Sequence, residues 1–304
     1  MKENDKTSHR AELMRDIVAM VNQNPVLKQA WQRKKEKSIQ NTEFEYPEHL
    51  SVEHIDMGLF KMEYLTWNGS ENPYVILQLH GGGYMSGLQG QYRKMAGLYA
   101  EISSGAAVLS VDYRLAPEYQ FPAPMEDTNS VFAWILDNKD KYGMDVANLF
   151  AVGDSAGGQI LSLYADICTN AEYAKEYDFQ VPEGLKIKAV ALNCGQYNME
   201  DTSDMTRQLM EEYLPGKGTP EELKRISSDL YITDQFPPAY VMTAEGDFLR
   251  KQAPYMYGKL KEKNVFCELH EYSSPKEKLM HVFHLNMRSE DAKRCNDDEC
   301  EFFR

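Results

Sequence analysis

Six short and nearly continuous apolar runs, separated by segments of helical character, constrain the fold of this chain more than any other feature. Each run has strand length and carries apolar residues at consecutive positions, which is typical of strands buried on both faces. The runs are Tyr74–His80, Ala106–Tyr113, Leu149–Asp154, Ile187–Asn193, Ala239–Glu245 and Val265–Tyr272, with helices predicted over Tyr92–Ser103, Met125–Lys141, Gln159–Thr169 and Pro254–Lys263. This alternation predicts an α/β fold whose mostly parallel sheet is covered by helices on both faces.

Two regions depart from the alternation. Ser51–Gly58 and Lys61–Trp67 alternate polar and apolar residues, which predicts antiparallel strands exposed on one face. Between Asn193 and Ala239 the chain has helical segments and no clear strand, and this interval is too long for an ordinary connection. We therefore expect cap helices within 1–45, an α/β core formed by 46–198 and 235–304, and an inserted cap segment over 199–234.

The charge and the cysteines narrow the range of partners and compartments. Asp and Glu outnumber Lys and Arg by 47 to 33, and the net charge of −14 disfavours binding to nucleic acids and anionic membranes. The first residues contain no apolar stretch of signal-peptide length, so we expect a soluble, cytoplasmic protein. Free thiols in a reducing compartment are expected for the five scattered cysteines, Cys168, Cys194, Cys267, Cys295 and Cys300.

A serine flanked by small residues follows the third apolar run. Gly153-Asp154-Ser155-Ala156-Gly157 has the pattern GxSxG and lies between a predicted strand and a predicted helix. This context is typical of a nucleophile elbow, in which a sharp turn exposes the serine hydroxyl and leaves no room for side chains at the two glycines. The alternative is a tight strand-to-helix turn in which the serine only caps the helix.

A second glycine-rich stretch, His80-Gly81-Gly82-Gly83, follows the first apolar run. Successive glycines allow several backbone N–H groups to face one point, as a developing oxyanion requires, and the N–H of Ala156 would complete the set. His80 is expected to brace this loop rather than act as a base. A phosphate-binding loop is disfavoured because neither GxGxxG nor GK[ST] is present and the chain is acidic.

A hydrolase with a nucleophile elbow needs an acid and a base in loops that follow later strands. Asp247 comes directly after the run Ala239–Glu245 and is the preferred acid, with Glu245 as a weaker alternative. Among the later histidines, His270 lies within a predicted strand, whereas His281 and His284 follow it. His281 is the preferred base and His284 the alternative. A zinc site on these two histidines is disfavoured because further ligands at suitable spacing are lacking.

Several motifs occur in the order found in one family. They are HGGG (His80–Gly83), DYRLAPE (Asp112–Glu118), FPAP (Phe121–Pro124), GDSAGG (Gly153–Gly158), DFLR (Asp247–Arg250) and HVF (His281–Phe283). With these motifs in this order, the chain resembles the hormone-sensitive-lipase-like branch of the α/β-hydrolases. The resemblance implies an eight-stranded, mostly parallel sheet with a helical cap, and a catalytic triad of Ser155, His281 and Asp247.

The resemblance also implies an oxyanion hole from Gly82, Gly83 and Ala156, with Gly81 supporting it and with His80 and Asp154 as supporting motif residues. The sequence departs from the family pattern at Phe248, where proline is common, and at Val282, where glycine usually follows the histidine.

The activity expected from these features is that of a serine carboxylesterase acting on short- to medium-chain acyl esters through an acyl-enzyme, with no metal or organic cofactor. Two alternatives stay open: an amide-cleaving deacetylase or formamidase with the same triad, and a non-catalytic receptor for small ligands on a hydrolase scaffold. The charged segment Glu200–Gly218 disfavours an interfacial lipase. An exposed edge strand would allow a homodimer.

Overall fold

Eight strands form a single sheet in the computed structural model, which describes residues 44–102, 105–200 and 203–304. The strands are β1 Leu50–Asp56, β2 Lys61–Trp67, β3 Tyr74–Leu79, β4 Ala107–Asp112, β5 Asp145–Asp154, β6 Ala189–Asn193, β7 Ala239–Ala244 and β8 Cys267–Tyr272. Their order is β1-β2-β4-β3-β5-β6-β7-β8. β2 pairs antiparallel with β1 and β4, and every other pairing is parallel. The predicted α/β-hydrolase fold with a mostly parallel sheet is therefore confirmed.

Eight helices of the described residues connect these strands or follow them. They are α1 Gly90–Ile102, α2 Ala123–Tyr142, α3 Ala156–Thr169, α4 Ala171–Ala174, α5 Asp204–Tyr213, α6 Pro220–Arg225, α7 Gln252–Glu262 and α8 Glu290–Phe302, with short 3-10 helices at Ser228–Leu230 and Phe283–Leu285. The predicted strand ends agree within two residues except at β5, which begins at Asp145 because that residue still pairs with Tyr74 of β3. Helix α8 was not predicted from the sequence.

Two apolar cores, one on each face of the sheet, account for the continuous apolar runs. In β3, Leu77 belongs to the same core as Phe132 of α2, whereas its neighbour Ile76 belongs to the opposite core with Tyr99 of α1 and Phe303. Successive side chains of a strand point to opposite faces. A strand covered on both faces therefore needs apolar residues at consecutive positions, as this sequence has.

The carboxyl ends of the parallel strands lie along one edge of the sheet. Leu79 of β3 lies beside Gly153 of β5, and Asp154 of β5 lies beside Asn193 of β6. The glycine-rich stretch after β3 and the serine turn after β5 consequently start from neighbouring points. Sites in open α/β sheets collect at this edge.

Within 199–234, local hydrogen bonds determine where two helices begin. The side chain of Ser203 accepts a hydrogen bond from the N–H of Thr206 at the start of α5. At α6, Thr219 and Glu222 form a reciprocal capping box. The division of the chain into core and cap stays a prediction, and its N-terminal part, 1–45, falls almost wholly outside the described residues.

Two further findings concern the described residues only. No helix among them combines the length and the apolar composition that a membrane span requires. The five cysteines, which all lie in the described ranges, form no disulfide.

Candidate active site

Ser155 occupies the sharp turn between β5 and α3. Its backbone has φ 54° and ψ −113°, a conformation that is uncommon for a residue with a side chain. The turn is held by hydrogen bonds on both sides: the N–H of Ser155 donates to the carbonyl of Asn193, and its own carbonyl accepts from Gln159. A strained residue supported in this way is characteristic of functional turns.

The flanking glycines are required by backbone atoms that pass close by. A Cβ on Gly153 would lie 2.4 Å from the carbonyl oxygen of Gly157, and a Cβ on Gly157 would lie 2.1 Å from the carbonyl oxygen of Leu79. These obstacles are backbone atoms of β3 and α3 that cannot move independently. The GxSxG pattern therefore reflects how closely α3 approaches the sheet.

We expect the substitution Gly157→Ala to lower the free energy of unfolding by about 3 kcal/mol or more, because the added methyl overlaps the backbone of β3. Gly258→Ala is the matched control: Gly258 lies in α7 and a Cβ there meets no heavy atom within 4 Å. Alanine favours a helix over glycine, so the control should keep or slightly raise stability. Urea unfolding of both variants measures the difference, and equal midpoints would contradict this account of the turn.

Three loops bring a serine, a histidine and an aspartate into one hydrogen-bonded chain. His281, in the loop after β8, places Nε2 2.9 Å from Ser155 Oγ and Nδ1 2.7 Å from Asp247 Oδ1. With Nδ1–H donating to the carboxylate, Nε2 is left to accept the serine hydroxyl proton. His281, the preferred base, and Asp247, the preferred acid, therefore both lie where a triad requires them.

Asp247 is held as a carboxylate by its surroundings. Its Oδ2 accepts from the hydroxyl of Thr243 and its Oδ1 from the N–H of Leu249. Burial alone would raise the pKa of Asp247, but the hydrogen bond and charge of His281, helped by Leu249 and the Cys194 thiol, hold the pKa below its usual range. A buried ionised carboxylate fixes the orientation of the imidazole.

The glycine-rich loop lies directly against the serine. A Cβ on Gly81 would be 3.1 Å from Ser155 Cβ, and Gly82 and Gly83 have φ of +129° and +61°, which side chains rarely adopt. The N–H of Ala156 lies in the first turn of α3, where backbone N–H groups have no acceptor within the helix. This arrangement supports Gly82, Gly83 and Ala156 as oxyanion donors, a role that stays a prediction.

His80 lies beneath the glycine loop and is fully buried. Its Nδ1 is 2.7 Å from the carbonyl oxygen of Gly81, and its ring stacks on Tyr113 with centroids 4.2 Å apart. The Tyr113 hydroxyl in turn donates to the carbonyl of His80. These contacts fit a residue that braces the loop.

The alternative site residues are engaged elsewhere. His284 Nε2 lies 2.7 Å from Asp154 Oδ1, and both side chains are fully buried behind the serine turn. The carboxylate of Glu245 accepts hydrogen bonds from the backbone of Ser274 and Leu279. His270 lies in β8 and pairs with Glu268.

Glu299 of α8 shares the buried region behind the turn and accepts a hydrogen bond from the side-chain amide of Asn193. Burial raises the pKa of Glu299 to about 7, although the nearby charge of His284 opposes this rise. A carboxyl whose pKa is raised by folding holds extra protons in the folded state, so its ionisation lowers stability as the pH rises.

We therefore expect Glu299→Gln to remove part of the loss of stability that the wild-type protein shows between about pH 4.5 and pH 7. The two proteins should be about equally stable near pH 4, where the carboxyl is protonated in both the folded and the unfolded state, and the variant should be more stable at pH 8 by up to about 3 kcal/mol. Urea unfolding across this range measures the effect. The control is Glu301→Gln, an exposed substitution on the same helix, whose free energy of unfolding should follow the pH dependence of the wild type. The same pH dependence for Glu299→Gln would contradict the raised pKa assigned to Glu299.

Cys194 is a site residue that the sequence did not single out. It follows β6 with φ +50°, and its sulfur lies together with one carboxylate oxygen of Asp247 and one ring nitrogen of His281 within a 4.8 Å span. Zinc uses the same kinds of ligand. Because His281 Nδ1 and Asp247 Oδ1 already share a hydrogen bond, a metal there would have to break it; as arranged, the thiol supports the acid. Its position after a central strand was the available signal.

Two apolar side chains border the site from different elements. Leu209 of α5 lies 3.3 Å from the position that a Cβ on Gly83 would occupy. Phe248, half exposed, packs its ring against that of His281 with centroids 4.3 Å apart. Val282 has φ +50°, which explains why glycine is usual at this position in the family that the motifs indicate.

A family model described as alpha/beta hydrolase fold matches residues 76–285, more than two thirds of the chain. The chain belongs to this alpha/beta hydrolase family. The match includes the glycine loop, the serine turn, Asp247 and His281. The resemblance to hormone-sensitive-lipase-like hydrolases that the motifs indicated is therefore confirmed.

Named relatives of this hydrolase are esterases. It is 26% identical over 235 residues to the versiconal hemiacetal acetate esterase of Dothistroma septosporum, a match that covers 72% of this chain and 71% of that protein. It is 29% identical over 192 residues to the carboxylesterase NlhH of Mycobacterium tuberculosis, where 59% of this chain and 58% of that protein are covered. Esterase B from Lactobacillus rhamnosis shares the fold, with a TM-score of 0.75, 20% identity and coverage of 95% and 96%.

Proposed function

We propose that this hydrolase is a serine carboxylesterase acting on short- to medium-chain acyl esters. The observation that carries the proposal is the hydrogen-bonded chain from Ser155 through His281 to Asp247, with distances of 2.9 Å and 2.7 Å. Its position beside the glycine loop and the esterase names of its relatives support the same conclusion. Serine, histidine and aspartate in this geometry serve acyl transfer on several unrelated folds.

In the proposed mechanism Ser155 Oγ attacks the ester carbonyl while His281 Nε2 accepts the hydroxyl proton. Asp247 keeps the imidazole in the tautomer that can accept this proton and stabilises the cation that forms. The proton then passes to the leaving alcohol, and an acyl-enzyme remains on Ser155. Water, activated by the same histidine, releases the acid and restores the serine.

The charge that develops on the carbonyl oxygen needs donors that are already in place. The N–H groups of Gly82, Gly83 and Ala156 are the proposed donors, with Gly81 supporting the loop. Removal of one such donor typically costs on the order of 100- to 1000-fold in turnover. Apart from the water that releases the acid, the proposed steps use only side chains and backbone groups of this chain.

The test is a series of p-nitrophenyl esters from acetate to dodecanoate, run beside the matching p-nitroanilides. We expect kcat/KM to be highest at short or medium chain length and the anilides to react more slowly. Preference for the anilides would favour the amide-cleaving alternative. Tight binding of small apolar ligands without hydrolysis of any ester would favour the receptor, although a receptor has no need for an imidazole in contact with the serine.

Leu209 is expected to restrict the substrate because it lies beside Gly83. We predict that Leu209→Ala raises kcat/KM for long acyl esters relative to acetate by about tenfold, the order expected when a pocket gains room for further methylene groups. Leu223→Ala, which shortens a partly buried leucine of α6 in the same segment, is the control. Identical acyl-chain profiles for the two variants would contradict this role of Leu209.

Three finer expectations are retained as part of the proposal. Residues 199–234 act as a cap over the site, the location is cytoplasmic, and an exposed edge strand would allow a homodimer. The proposed partner is otherwise a small ester substrate.

A further inference from the structure

His281 and His284 contact two adjacent residues of the serine turn. His281 Nε2 lies 2.9 Å from Ser155 Oγ, and His284 Nε2 lies 2.7 Å from Asp154 Oδ1. The histidines are three residues apart in one short segment, which includes the 3-10 helix Phe283–Leu285. The segment that carries the proposed base is thus attached to the turn at two points.

The second attachment is built from groups contributed by several elements. Asp154 ends β5, His284 lies in the segment after β8, and both side chains are fully buried. The side-chain amide of Asn296 in α8 donates to the backbone carbonyl of His284 at 3.2 Å. Glu299, also of α8, lies close enough to His284 for its charge to be felt. The segment is therefore held from below by α8 as well as by β5.

The charges of this pair make its geometry specific. Burial would lower the pKa of His284, but the Asp154 carboxylate outweighs burial and raises the pKa. A protonated imidazole and a carboxylate away from water are stable only when they remain in contact, because a lone buried charge is very costly. Movement of the segment away from the turn would separate these charges.

We propose that His284, through its ion pair with Asp154, is a positioning residue that fixes the distance between His281 and Ser155. Because the side chain of His284 is fully buried, we assign it no contact with the substrate. The ion pair fixes the position of the segment that carries both histidines relative to the serine turn. This position determines the hydrogen bond between His281 Nε2 and Ser155 Oγ, along which the proton is transferred. This inference rests on the proposed function of Ser155 and His281.

The test compares Asp154→Asn and His284→Gln with the pair Asp154→Asn/His284→Gln. Asparagine is isosteric with aspartate, and the glutamine amide can occupy the place of imidazole Nε2, so the double variant brings two neutral groups into the same contact. Each single variant should lower kcat for p-nitrophenyl butyrate about 10- to 100-fold with little change in KM, since a displacement of about 1 Å can cost that much. The double variant should lose less than the product of the two single losses.

A second readout separates positioning from stability. The rate of inactivation by a p-nitrophenyl alkylphosphonate depends on the contact between Ser155 and His281, so it should fall together with kcat. Cys295→Ala, a buried truncation in α8, is the control and should lower the melting temperature without changing either rate.

The inference is overturned if Asp154→Asn and His284→Gln lower the melting temperature while both rates stay within about twofold of wild type. If His284→Gln does not fold, the rates of Asp154→Asn alone provide the test. A wild-type protein without esterase activity would instead refute the proposed function, so the two failures can be told apart.

Discussion

Replacing Ser155 with alanine is expected to lower kcat for a short acyl ester by about a millionfold, the loss typical when the nucleophile of a triad is removed. The Ser155 hydroxyl lies 2.9 Å from His281 Nε2, and alanine leaves the imidazole without a group to deprotonate. Initial rates with p-nitrophenyl butyrate at high enzyme concentration measure the residual activity. KM need not change, because the hydroxyl contributes to the reaction rather than to binding.

The matched control is Ser162→Ala, on the helix α3 that follows Ser155. Ser162 is buried and its hydroxyl donates to the carbonyl of Gln159, so its removal costs stability without touching the site. We expect this variant to retain kcat within about twofold of wild type. A Ser155→Ala protein that is folded and still hydrolyses esters at the wild-type rate would refute the mechanism.

Replacing Asp247 with asparagine should lower kcat by about 10,000-fold with the fold intact. The asparagine amide can donate to His281 Nδ1 and so favour the tautomer that carries the proton on Nε2. That tautomer cannot accept the proton of Ser155. The lost charge also removes the stabilisation of the imidazolium cation, so KM should change far less than kcat.

Glu245 provides the control for Asp247 because it lies two residues earlier in the same turn after β7. Its carboxylate accepts hydrogen bonds from the backbone of Ser274 and Leu279 rather than from a histidine. Glu245→Gln should therefore keep kcat and lower stability at most modestly. Equal losses of kcat in the two variants would contradict the assignment of the acid.

The sequence predicts the sheet and the three principal site residues for a physical reason. A strand buried on both faces must be apolar at consecutive positions, and parallel strands bring their carboxyl ends to one edge. Ser155 directly follows β5 and Asp247 lies in the turn three residues after β7, so their proximity follows from topology. His281 comes later in the chain, but only one loop after β8 separates it from the same edge.

Other parts of the site depend on packing between distant segments, which no local pattern encodes. Leu209 reaches Gly83 because of the path of the segment between β6 and β7. Glu299 reaches Asn193 because α8 packs against the sheet, and the sequence of α8 gave no signal of that contact. From the sequence, His284 is predicted only as an alternative base. Its contact with Asp154 lies in the buried region behind the serine turn and depends on how the two segments pack.

The most direct measurement of the central claim is covalent trapping of the serine. Reaction with a p-nitrophenyl alkylphosphonate should release one equivalent of p-nitrophenol per chain and abolish esterase activity in parallel. Peptide mapping by mass spectrometry should then place the phosphonyl group on Ser155 alone. Full activity after complete labelling, or a label on another residue with Ser155 unmodified, would contradict the account.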